Sequence, residues 1–100
     1  EAFAVLFDNN TNTCFEASVN LTHQNVATWN PVPGVQPTLT VDECFECEAA
    51  VQNSEEFKEK LKRFYGIEDA SLVMVDIWSA GNYGEEEESK LRLARPLCFL

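Results

Sequence analysis

The stretch that most constrains this chain is Ser71-Leu72-Val73-Met74-Val75-Asp76-Ile77-Trp78-Ser79-Ala80-Gly81-Asn82-Tyr83-Gly84. Leu72, Val73, Met74, Val75 and Ile77, broken only by Asp76, read as a strand buried for most of its length. Asp76 is expected where that strand emerges into solvent, the other reading being a buried, paired carboxylate. The segment Gly81 to Gly84 then breaks the pattern. It leaves Trp78, Asn82 and Tyr83 as the residues best placed to meet a partner or ligand.

Around this stretch the chain sorts into short elements. Glu1 to Phe7 alternates, with Phe3, Val5 and Phe7 on one face and Ala2, Ala4 and Leu6 on the other, as a strand covered on both faces would. Asp8 to Thr13 is a turn cluster, and Phe15, Ala17, Val19 and Leu21 mark a half-buried second strand. A turn at Thr22-His23-Gln24-Asn25 leads to a third strand, Val26 to Trp29. Pro31, Pro33 and Pro37 remove ladder donors, so Asn30 to Pro37 is expected to leave the sheet.

Thr40-Val41-Asp42-Glu43 is a capping box opening a helix that buries Val41, Cys44, Phe45, Cys47 or Ala49, and Val51. Asn53 or Ser54 caps a second helix with the core stripe Phe57, Leu61 and Phe64, exposed pairs Glu56–Lys60 and Glu59–Arg63, and a stop at Gly66. Glu85 to Glu88 reads as a solvated, mobile loop. Leu91, Leu93, Leu97 and Phe99 alternate in a last strand, which Pro96 assigns to an edge. The order β-β-β-α-α-β-β predicts an α+β fold, an antiparallel sheet of about five strands with two helices packed on one face.

The 100 residues form one domain, with no linker or repeat. A chain starting at Glu1 without methionine and stopping on strand-like Leu100 is expected to be a domain cut from a longer protein. No apolar run reaches the ~20 residues of a spanning helix, and no signal-peptide pattern is present. The net charge of −10 argues against nucleic acid and anionic membrane surfaces as partners.

Catalytic chemistry finds no footing here. Cys44-x-x-Cys47 falls about one turn inside its helix among Glu43, Glu46 and Glu48, where a thiolate is disfavoured, so two small core residues are the better reading. Zinc would need Cys14, Cys98 or the lone His23 as well, and these are isolated singles. Cys14 and Cys98 are an admissible disulfide, but free thiols are the default. They favour a reducing compartment and an intracellular parent, cytoplasmic or peroxisomal. Asn9-Asn10-Thr11 and Asn20-Leu21-Thr22 fit the glycosylation pattern, which matters only in a secreted chain. No nucleophile is joined to a base, and no loop is built for phosphate. No catalytic, cofactor or metal residue is therefore assigned.

The hairpin Phe15 to Trp29, Val32-Pro33-Gly34-Val35-Gln36-Pro37, Ser54-Glu55-Glu56-Phe57, Arg63-Phe64-Tyr65-Gly66-Ile67, Asp76-Ile77-Trp78-Ser79-Ala80-Gly81 and Arg92-Leu93-Ala94-Arg95 together resemble the copper-containing primary amine oxidases. The likeness spans nearly the whole chain and is to the small N-terminal domain just before their catalytic domain. It implies a cystatin-like fold for a non-catalytic domain, 1–100, of a dimeric parent that deaminates primary amines with copper and topaquinone. The parent's catalytic domain is then the partner. The family's cofactor site reads Asn-Tyr-Asp/Glu, whereas Asn82-Tyr83 is followed by Gly84, and the copper histidines and catalytic aspartate belong to the other domain. By the resemblance, Trp78, Asn82 and Tyr83 line the substrate channel or pack the domain interface.

Two further readings stand beside this one: a free-standing binding module, for cationic ligands given the charge, and a cystatin-like protease inhibitor. Gln24-Asn25-Val26-Ala27-Thr28 nearly matches the inhibitor loop Q-x-V-x-G but lacks the glycine that allows a tight approach to a protease cleft. Papain is expected to keep full activity with the chain at micromolar concentration; inhibition there would restore the inhibitor reading.

Overall fold

Strands β1 (Ala2–Asp8), β2 (Thr13–Asn20) and β3 (Asn25–Val32) form an antiparallel sheet in the order β1-β2-β3. The computed structural model describes residues 1–100, which divide into two units: Glu1–Thr38 with Asn82–Arg92, and Leu39–Gly81 with Leu93–Leu100. The expected α+β class and element order are both present, with the five strands shared between two antiparallel sheets.

In the first unit, side-chain bonds set the turns. The Asp8 carboxylate accepts from the Asn10 amide at 2.9 Å and the Thr11 hydroxyl at 2.8 Å. Asn20 Oδ1 accepts from the amides of Thr22 and His23, both at 3.1 Å. The register Ala4↔Ala17↔Trp29 and Leu6↔Phe15↔Pro31 lines one face with apolar side chains, and Ala17 is buried at its centre. The opposite face of β1 is not covered as expected. Phe3 and Val5 sit across from Ser18 and Glu16 and stay 69% and 52% exposed. The third strand also runs further than expected, through Pro31 to Val32. It is an outer strand, so a missing N–H leaves one ladder intact.

A polar network ties the remaining segments of this unit together. Gln36 Nε2 donates to Asn12 Oδ1 at 3.0 Å, and Asn12 Nδ2 donates to the Lys90 carbonyl at 2.6 Å. The Arg92 guanidinium bonds the carbonyls of Pro37 and Thr38 and lies 5.0 Å from the centre of the Phe7 ring. The acidic run is not all loop. Glu86–Ser89 forms a single helical turn, α3, where Ser89 Oγ donates to the Glu86 carbonyl at 2.7 Å and Lys90 pairs with Glu87.

In the second unit, α1 (Val41–Asn53) opens with the capping box read from the sequence, Thr40 accepting from the Glu43 amide while Glu43 reaches back. Ser54 caps α2 (Glu55–Tyr65), which Gly66 ends at φ 70°. That angle is left-handed, where a Cβ is strained. Leu61, Ala70 and Val73 are the buried cluster, with Phe57 and Ile67 packed against it. Ala70–Leu72 is a 3₁₀ turn, so the strand expected from Leu72 begins later, as β4 (Met74–Ser79), and pairs with β5 (Ala94–Phe99).

The sequence expectation of burial is corrected at several positions here. Val73 and Val75 are buried while Met74 is exposed, because a two-stranded sheet buries one face and its side chains alternate, and Leu72 is exposed in the 3₁₀ turn ahead of it. Val41 and Phe45 of α1 are likewise exposed, at 68% and 63%. Phe64 is also out of the core: Ile67, beyond the helix stop, packs on the cluster instead, and Arg63 lies over the Phe64 ring rather than pairing with Glu59. Of the pairs expected on α2, Glu56–Lys60 forms, beside Glu55–Lys58.

Leu61→Ala is expected to cost about 2–4 kcal/mol through the lost contacts and residual cavity, and Thr40→Ala about 1 kcal/mol, both read from urea unfolding followed by circular dichroism. The bonds from the Thr11 hydroxyl and the Asn10 amide lower the Asp8 pKa. The unfolded chain therefore takes up that proton first. The stabilisation is complete above about pH 4 and is lost as pH falls through the lower folded value. Asp8→Asn is expected to flatten the dependence of stability on pH below about 4, measured by urea titrations over that range.

Candidate functional site

The loop singled out from the sequence begins on β4, where alternation puts Asp76 and Trp78 on the same strand face. Trp78 Nε1 donates to Asp76 Oδ2 at 2.8 Å, which pins the indole along the strand. Asp76 is exposed, as expected, and its carboxylate serves as the anchor for Trp78. The chain then turns on side-chain acceptors: Ser79 Oγ takes the Gly81 amide at 3.3 Å and Asn82 Oδ1 takes the Gly84 amide at 2.8 Å. Trp78 belongs to the second unit, and Asn82 and Tyr83 to the first. Trp78 is 58% exposed and Tyr83 73%.

The second unit also carries a feature that sequence reading did not single out. An open groove of about 460 Å³ is lined by Cys47, Ala50, Val51, Phe57, Pro96 and Cys98, together with Ser54, Glu56 and Lys60. Phe57 and Cys98 also line a neighbouring groove of about 420 Å³ with Leu61, Tyr65, Val73, Phe99 and Leu100. The available signal was the small residues of α1, Cys47 and Ala50, which leave room where larger side chains would close the gap. Proline and alternation on β5 marked an edge but gave no sign of what faced it.

Glu56 and Lys60, which line the first groove, form an exposed ion pair in which Glu56 raises the Lys60 pKa and Lys60 lowers that of Glu56. The four cysteines are free: Cys14 is buried, Cys44 and Cys47 are half-buried, and Cys98 is exposed. The Cys44 amide donates to the Thr40 carbonyl at 3.1 Å and so is not available to a thiolate. No three of the His, Cys, Asp and Glu side chains are grouped to hold a metal ion.

Both units leave large apolar side chains exposed, Phe3, Val26 and Trp29 in the first and Val41, Phe45, Phe64 and Trp78 in the second.

Fold and site together define an α+β chain with exposed apolar side chains on both of its units. The chain is homologous to a stretch of the copper-containing amine oxidases. It is 37% identical over 101 aligned positions to the primary amine oxidase of Arthrobacter sp. (strain P1), covering 100% of this chain and 15% of that protein. It is 44% identical over 70 residues, 70% of this chain, to the peroxisomal copper-containing diamine oxidase 1 of Nicotiana tabacum, and equally to N-methylputrescine oxidase 1 of the same plant. Those 70 residues are 9% of either tobacco protein, so the chain spans a small fraction of the curated relatives it matches. No family model matches it.

Thiol labelling with an aromatic disulfide reagent is expected to modify Cys98 first and Cys14 only on unfolding, with Cys98→Ser removing the fast phase. Fast labelling of Cys14 would show that the β2 face is open.

Proposed function

We propose that residues 1–100 are a non-catalytic, cystatin-like interaction domain of a larger, homodimeric primary-amine oxidase, placed just before its catalytic domain. The observation that carries the reading is the similarity that runs the full length of the chain to 15% of a primary amine oxidase. The apolar surface left uncovered in both units supports it, since a parent chain would bury that surface. In this reading the parent uses copper and topaquinone to convert a primary amine, dioxygen and water into an aldehyde, ammonia and hydrogen peroxide.

The residues of this chain do not fit those cofactors. One histidine, His23, lies exposed in the β2–β3 turn, and Tyr83 is followed by Gly84. The domain's part is therefore contact. It packs on the catalytic domain near the substrate channel, with Trp78, Asn82 and Tyr83 in the contacting or channel-lining loop.

The complete reading frame tests this directly. It is expected to continue into a domain with a cofactor tyrosine and three copper-binding histidines, and a frame without them overturns the proposal. The 100-residue chain is expected to bind no copper by elemental analysis and to release no hydrogen peroxide from methylamine or putrescine. Turnover by the chain alone would overturn the non-catalytic role.

A further inference from the structure

Two of the four thiols share one space in the second unit. On α1, Cys47, Ala50 and Val51 stand three and four positions apart, which sets them on one stripe of the helix. On β5, Cys98 lies across from Val75 and Pro96 across from Ile77, so both fall on the sheet face that holds the buried Val75. All five of Cys47, Ala50, Val51, Pro96 and Cys98 line the groove of about 460 Å³. Between α1 and β5, Cα atoms come within 8 Å, close to the roughly 4.4–6.8 Å that a disulfide spans. The other two thiols are placed differently. Cys14 is buried in β2, and Cys44, three residues before Cys47, does not line the groove.

We propose that Cys47 and Cys98 are a peroxide-oxidisable pair that closes as a disulfide tying α1 to β5. Cys98 is the more exposed of the two and reacts first. Its thiolate attacks one oxygen of hydrogen peroxide, the O–O bond breaks, and a sulfenic acid forms. The departing hydroxide takes up the proton that the Cys98 thiol gave up and becomes water. The Cys47 thiolate then attacks the Cys98 sulfur, the S–S bond forms, and the sulfenic hydroxyl leaves with the Cys47 proton as a second water. Two thiols and one peroxide thereby give one disulfide and two waters. The sulfurs give up two electrons and the peroxide takes them.

An exposed thiol with no second thiol in reach passes from sulfenic to sulfinic acid, which is not reversed by ordinary reductants. Cys47 diverts Cys98 into the reversible branch. The pairing rests on the two thiols sharing one space, not on the groove being open to solvent. In the oxidase reading hydrogen peroxide is the parent's own product, but the pairing holds or fails independently of that reading.

Hydrogen peroxide added in small excess to the dilute, reduced 100-residue chain is expected to remove two of its four free thiols, and dithiothreitol to restore them. Peptide mapping without reductant is expected to recover Cys47 joined to Cys98 within one molecule, a result on unaltered protein that needs no variant to fold. Cys47→Ser is expected to leave Cys98 as a sulfenic acid trapped by dimedone, and Cys44→Ser to leave the pair unchanged. A Cys44–Cys47 link, a bond between two molecules, or sulfinic acid at Cys98 with Cys47 still free overturns the proposal. So does the same preference for Cys47 with Cys98 in urea, where no groove exists to bring the two thiols together.

Discussion

Most of the second unit rests on the contact of Leu61 with Ala70 and Val73. It joins the middle of α2 to the 3₁₀ turn and to the residue that leads into β4. With Phe57 and Ile67 packed against it, this cluster fixes the direction in which the chain returns from the helix. Gln52 Nε2 of α1 adds a bond to the Val73 carbonyl at 3.3 Å, bringing the first helix to the same point. So small a core leaves little margin, since the net stability of a domain is a difference between large opposing terms.

The first unit is held by different means. Its turns and crossing segments are fixed by side chains bonding to backbone: Asp8 and Asn20 at the turns, and Asn12, Gln36 and Arg92 between segments far apart in sequence. Each such bond contributes little on its own, because water competes for the same groups. Together they give conformational definition to a sheet with one buried alanine and one buried cysteine. Several apolar side chains on that sheet, Phe3, Val26 and Trp29 among them, are thereby held in place without being covered.

Much of the acidic charge lies on α1, α2 and α3, while Glu16 and Asp76 stand on strand faces beside the exposed Val5 and Trp78. The cysteines are dispersed, the one histidine is in a turn, and the most strongly held carboxylates are committed to lysine partners or turn amides.

Local signals were legible in the residues themselves. The capping box at Thr40 and Glu43, the Ser54 cap, the Gly66 stop and the turns at Asp8 and Asn20 were readable because each depends on side chains within a few positions of one another. Element order and the α+β class followed from them, as did the solvent position of Asp76. Burial was not legible to the same degree. Val41, Phe45 and Phe64 have core chemistry, yet whether they are covered depends on which elements come to lie over them. Strand length at Pro31 depended on β3 being an outer strand. The groove between α1, α2 and β5 required knowing that Cys47 and Cys98 line the same space. The sequence alone determined the helix caps, the turns and the order of the main elements, because capping and turn bonds are local. Tertiary structure decided which apolar faces stay open, because burial is a property of distant residues brought together.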